Sequence, residues 1–262
     1  MRRQTRPKPP LRGSPWSNRA RAGKLRRIVR ILEETLGVPA QSRKLPPPLD
    51  MLIATVLSQN TNDRNSHRAY EALRLRYPTW EQVAVAPLRS LVATIRSGGM
   101  ANQKAGRIKE ILRTIKSTYG GHDLSALRGK ADAEVIEELT RMKGVGTKTA
   151  ACVLVFSLGR DVFPVDTHVH RICGRLGLTP GSRSPEETFE QMRPLIPAGK
   201  GYSFHTNLIR FGRKVCHSNR PACGRCPLYE ECVFERKTRW TIERRRTSKT
   251  DHTFMLLDNI GT

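Results

Sequence analysis

Helical periodicity constrains this chain more than any other feature. From Asp50 to Val215, apolar residues recur at three- and four-residue spacing, broken only by short punctuation, and no stretch shows the strict alternation of a half-buried strand. The spacing predicts a helix over Met51–Asn60 capped by Asp50, and another from Asp63 or a neighbour to Arg76. Thr79, with Gln82 three residues later, is a capping-box pattern. Further helices are expected at Leu88–Ile95, Ala101–Tyr119, Val135–Met142, Lys148–Leu158, Thr167–Leu176, Pro185–Leu195 and Phe204–Val215. The expected fold class is all-α with short loops.

Residues 1–23 are rich in Arg and Pro, lack periodicity and read as a disordered basic arm. A helix is expected from Lys24, with Leu25, Ile28, Val29, Leu32 and Leu36 on one face and Gly37 at its end. The Pro46–Pro48 run is a stiff connector. Residues 239–262 read as a basic tail. No apolar run approaches the roughly 20 residues of a membrane span, and no apolar segment near the N-terminus resembles a secretory signal. No membrane partner is expected. The expected location is the cytoplasm, on the nucleoid, for a bacterial host; a nucleus or organelle also fits.

The formal charge is +24, from 47 Lys+Arg against 23 Asp+Glu. It is concentrated at the ends: residues 1–30 carry eleven Lys/Arg and no acid, and residues 236–250 carry seven against one Glu. A field of this size asks for a polyanion, and nucleic acid is the natural one. Four of the six cysteines fall within residues 216–232, spaced C-x6-C-x2-C-x5-C. One tight cluster in a chain of this length reads as a metal or iron–sulfur site rather than a disulfide framework. Spacing alone leaves a [4Fe–4S] cluster and a zinc ion equally open. Cys152 and Cys173 sit in apolar helical contexts and read as buried thiols.

Between two helical patterns lies Lys143-Gly144-Val145-Gly146-Thr147-Lys148-Thr149-Ala150. The glycines permit a two-helix hairpin and close approach by another backbone. The helix starting near Thr147 then aims its free N–H groups outward, at a site suited to a DNA phosphate.

This hairpin resembles that of the helix-hairpin-helix DNA glycosylases, in their endonuclease III-like branch with a [4Fe–4S] cluster. The resemblance implies that Lys148 is the catalytic lysine. Lys143 stands where the family usually has Pro, adding a cation at the turn. An amine that attacks the sugar C1′ forms a Schiff base, and β-elimination then breaks the 3′ phosphodiester. The positive end of the helix dipole disfavours an ammonium at Lys148. A carboxylate is needed to stabilise charge on the sugar, and Asp166 in F-P-V-D-T-H-V-H supplies it, eighteen residues after Lys148. Asp166 is also a natural N-cap for the next helix, and both roles are compatible.

His168 and His170, two apart, do not share a helix face, so a metal role is disfavoured against a structural or phosphate-facing one. The resemblance places His168 among the DNA-facing residues and assigns a [4Fe–4S] cluster to Cys216, Cys223, Cys226 and Cys232. Arg213, Arg220 and Arg225 flank that loop and suit phosphate. The resemblance also points to two turns that would open the duplex: Gln59-Asn60, and the glycine turn bearing Met100 and Asn102. Asn60 is the expected plug and Met100 the expected wedge.

The resemblance spans about residues 24–236 and implies two helical domains, a helical barrel at 47–160 and a cluster domain from 24–46 plus 161–238, with the damaged base in a cleft between them. It implies a bifunctional DNA glycosylase/AP lyase of base excision repair, acting as a monomer on double-stranded DNA with an oxidised pyrimidine or an abasic site. A thymine-mismatch or modified-pyrimidine glycosylase is the nearest alternative. Lys148 argues against an adenine glycosylase. A non-catalytic iron–sulfur DNA-binding protein would need no Lys148/Asp166 pair, and a plain zinc module is weaker still.

Overall fold

A computed structural model describes residues 17–241, so most of the N-terminal arm and of the C-terminal tail lies outside the described residues. Among the described residues there are eleven α-helices and no strand. They form two compact units. One holds residues 40–164; the other holds 17–39 and 165–241. No described helix is long and apolar enough to cross a membrane.

In the 40–164 unit the helices are α2 (Pro48–Ser58), α3 (Asp63–Arg76), α4 (Trp80–Val85), α5 (Leu88–Thr94), α6 (Ala101–Tyr119), α7 (Asp132–Thr140) and α8 (Thr147–Phe156). α2 packs against α8, α3 and α6, and α7 packs on α8. Leu49, Met51, Leu52, Ile53, Val56 and Leu57 of α2 are all buried, as are Cys152, Val153, Leu154 and Val155 of α8. A helix apolar on every side must lie in the interior. At roughly 1.5–3 kcal/mol for each large side chain removed from water, these two helices form the anchor of the unit.

Asp50 does not cap α2. The helix starts at Pro48, where a proline with fixed φ is accepted in the first turn. Asp50 sits inside that turn and accepts hydrogen bonds from Tyr70 Oη at 2.7 Å and Trp80 Nε1 at 3.0 Å. The Thr79/Gln82 capping box forms as expected, with both reciprocal bonds in place.

The other unit contains α1 (Asn18–Leu36), α9 (Thr167–Arg175), α10 (Pro185–Met192) and α11 (Gly201–Lys214), then short turns through the cysteine loop. α1 begins six residues before the expected Lys24. Ser17 accepts from the Ala20 amide, and Arg21 donates to the Gln191 carbonyl at 3.3 Å. The cap and that tertiary bond extend the helix into what composition alone marks as arm. α9 and α1 both pack on α11.

Candidate active site and nucleic acid interface

The hairpin forms between α7 and α8. Gly144 has φ +83°, a value favoured only by glycine, and the place a Cβ would take is filled by the Arg107 guanidinium, 2.0 Å from its Nε. Val145 turns inward: its side chain is buried and its N–H bonds to the Met142 carbonyl. The Val145 N–H is thus spent within the turn, unlike the first amides of α8. Gly146 is the N-cap residue, and its carbonyl accepts from Thr149 and Ala150. The first amides of such a helix have no intrahelical acceptor. Lys143 beside them is exposed, and Lys148, in the first turn of α8, is half-buried.

Two further turns of the same unit belong with the hairpin. Gln59 ends α2, and its amide nitrogen lies 3.4 Å from the Gly144 carbonyl and 3.5 Å from Thr149 Oγ1. Its Oε1 accepts from Arg107 Nη1 at 2.6 Å. Asn60 follows with φ +53°, and Met100 ends the glycine turn with φ +50°. The Asn60 amide nitrogen lies 3.7 Å from Met100 Sδ, so the two residues named as plug and wedge are neighbours. Met100 is 47% exposed, high for so apolar a side chain. Asn102, exposed, lines a surface groove with Met100, Arg89 and Arg96.

Asp166 is the N-cap of α9; its Oδ1 accepts from the Val169 amide at 2.8 Å. Its charge is felt nearby. Burial, and then the Asp166 carboxylate, push the Cys173 thiol well above its ordinary range. His168 Nδ1 lies 3.1 Å from Arg171 Nη2, and the same ring crowds the place a Cβ on Gly212 would take. His170 pairs with Thr188 Oγ1 at 2.7 Å, so the two histidines go separate ways.

Cys216, Cys223, Cys226 and Cys232 all line one pocket, walled by Ile172, Phe211, Leu228 and Phe234. No three His, Cys, Asp or Glu side chains among the described residues converge closely enough for a single metal ion. Burial pushes the Cys226 thiol up to about 12, and charge on the other three cysteines adds to the rise. Arg175 of α9 donates to Cys216 Sγ at 3.3 Å and to the His217 and Ser218 carbonyls. Its own carbonyl accepts from the Cys232 thiol and the Val233 amide. Sequence reasoning put Arg213, Arg220 and Arg225 around this loop and missed Arg175. Arg225 instead reaches the Lys214 carbonyl.

Three other residues escaped sequence reasoning. Arg107 organises the hairpin and Gln59. Lys104 is 2% exposed, and burial, followed by the nearby Arg107 charge, holds its amine down to about 8. Arg171 ties α9 to the Cys216 carbonyl at 2.8 Å. For Lys104 a signal existed, since it falls on the same helical stripe as Ile108, Ile111, Leu112 and Ile115.

Residues 53–198 match the model of the family described as HhH-GPD superfamily base excision DNA repair protein. Endonuclease III of Thermotoga maritima is 37% identical over 209 residues, covering 80% of this chain and 93% of that protein. A putative DNA glycosylase of Arabidopsis thaliana is 40% identical over 64% of this chain and 57% of its own length. A structure of endonuclease III in a non-covalent complex with DNA superposes with a TM-score of 0.71 at 28% identity, over 83% of this chain and 98% of that one.

Proposed function

We propose, because the chain belongs to the HhH-GPD superfamily of base excision DNA repair proteins, that this DNA glycosylase is bifunctional: it releases an oxidised pyrimidine and then nicks the strand through Lys148. The observation that carries the reading is the position of Lys148, an amine in the first turn of α8 directly after the Gly144–Gly146 turn. The amides of that turn suit a phosphate of the damaged strand, with Lys143 adding charge beside them.

In this reading the neutral Lys148 amine attacks C1′ as the C1′–N bond to the base breaks, and the base leaves with a proton. Asp166 stabilises positive charge on the sugar, its orientation set by the cap it forms on α9. The resulting Schiff base acidifies the C2′ hydrogen. Loss of that proton expels the 3′ phosphate, and water later frees the lysine. Asn60 fills the gap left by the extruded nucleotide, Met100 wedges the stack, and Gln59, Asn102 and His168 line the DNA path.

Cys216, Cys223, Cys226 and Cys232 would hold a [4Fe–4S] cluster. Support comes from the family to which the chain belongs and from the common pocket that the four cysteines line. Held by these residues, a cluster would supply a structural crosslink between Cys216, just after α11, and the loop bearing Cys223, Cys226 and Cys232. The partner is double-stranded DNA carrying a damaged base or abasic site, bound by a monomer.

Borohydride trapping tests the whole reading. Duplexes carrying thymine glycol, an abasic site, G·T or 8-oxoguanine·A are incubated with the protein and reductant. A covalent complex with thymine glycol and abasic duplexes is expected. Trapping only with G·T would transfer the protein to the mismatch class, and base release without any trapping would remove the lyase step.

A further inference from the structure

We propose that Lys104 is a positioning residue for duplex opening, joining the Asn60 turn and the Met100 turn so that they enter DNA as one piece. The inference rests on the reading above that these two turns meet the DNA. Lys104 Nζ donates to the Leu57 carbonyl and to the Gly98 carbonyl, each at 2.7 Å. Leu57 lies in the last turn of α2, three residues before Asn60, and Gly98 lies two residues before Met100. One ammonium thus caps the carbonyl ends of both segments, where the backbone presents negative partial charge and no helical donor.

A buried ammonium is costly unless its donors are satisfied. A methionine here would fill the same space without that cost, so the charge is not explained by packing. The strain nearby offers an explanation. Among the described residues the non-glycine positions with positive φ are Asn60, Met100 and Arg220. Two of the three lie within three residues of the carbonyls that this amine bonds. A left-handed conformation at such residues costs of order 1–3 kcal/mol and persists only where the surroundings impose it. Space is also closed: a Cβ on Gly98 would meet Ala69 Cβ at 3.1 Å, so the Met100 turn sits tightly against α3. The amide of Lys104 itself bonds to the Met100 carbonyl at 3.0 Å, which locks the start of α6 to the same assembly.

The test separates opening from chemistry and from fold. Full-length protein carrying Lys148→Gln, which leaves the DNA intact, is mixed with duplexes that hold 2-aminopurine next to thymine glycol, and the fluorescence rise on unstacking is followed. Lys104→Met should slow or shrink that rise by roughly tenfold or more, the scale expected when groups are held slightly out of place. Lys104→Arg keeps donors but misplaces them and should fall between. In a background of Asn60→Gly with Met100→Ala, adding Lys104→Met should change nothing further, because the lysine acts through those turns. Unstacking as in the parent by Lys104→Met, or an equal additional loss in the turn background, overturns the proposal. If the turn variant itself unstacks like the parent, the assignment of the turns to DNA fails and the proposal falls with it. Should Lys104→Met not fold, Lys104→Arg takes its place in the same cycle.

Discussion

Arg107 Nη1 donates to Gln59 Oε1 at 2.6 Å, and this bond ties the end of α2 to α6 directly beneath the hairpin. The same guanidinium occupies the space over Gly144. The hairpin and the Gln59-Asn60 turn are therefore tied together, and the two glycines of the hairpin are not equivalent.

Gly144→Ala should destabilise the protein by about 1–3 kcal/mol, since it forces an alanine to φ +83° and drives a methyl into Arg107. Gly146→Ala meets nothing within 4 Å, at an ordinary backbone angle, and should cost only the cap preference for glycine over alanine, about 0.5–1 kcal/mol. Urea midpoints of the two variants, measured side by side, check the contrast. Equal losses would remove Arg107 from the account.

Lys148→Gln should abolish the borohydride-trapped complex and the strand nick, because an amide has no lone pair able to form a Schiff base. Lys148 is half-buried, and the fold and duplex affinity should survive with a change near 0.5 kcal/mol. Persistent trapping would identify another amine as nucleophile, with Lys143 the first to examine.

Asp166→Asn keeps a side-chain oxygen for the Val169 amide, so the α9 cap should hold and thermal stability should barely move. Base release should slow by roughly 100-fold or more, the usual scale for losing one charge-stabilising group. A variant that loses stability yet turns over normally in its folded fraction would reduce Asp166 to a cap.

Protein purified without air should be yellow-brown and carry about four irons per chain, as a [4Fe–4S] cluster on the four cysteines requires. Iron analysis and the visible spectrum decide this directly. Stoichiometric zinc in such a preparation would refute it.

Lys104 gives stability a pH dependence of unusual sign. Its amine is held down to about 8, by burial first and Arg107 second, from an ordinary value of 10.5. Between those values the unfolded chain binds the proton that the folded chain has released, so this group favours folding more as pH rises from 8 to 10.5. Denaturation midpoints of wild type and Lys104→Met, compared from pH 7 to 10.5, should diverge in favour of wild type toward alkaline pH. A constant difference would mean that the lysine titrates alike in both states.

Much of the fold was legible in the sequence because helices and their caps are local. Periodicity delimits Ala101–Tyr119 to the residue, and Thr79 and Gln82 meet because they lie one helical turn apart. The Gly144–Gly146 turn and the Asp166 cap are likewise short-range patterns whose backbone geometry follows from residue type and separation. What the tertiary structure decided involves partners far apart in the chain. Asp50 looks like a cap until Tyr70 and Trp80 fold over it. The start of α1 depends partly on a Gln191 carbonyl 170 residues away from Arg21. Lys104 interrupts an apolar stripe, and sequence alone cannot say whether such an amine reaches water or turns inward. The answer came from two carbonyls, at Leu57 of α2 and Gly98 of the turn before α6, that the packed chain brings to one point. A buried charge is tolerated only where its hydrogen bonds are met, and where those acceptors converge is a property of the packed chain.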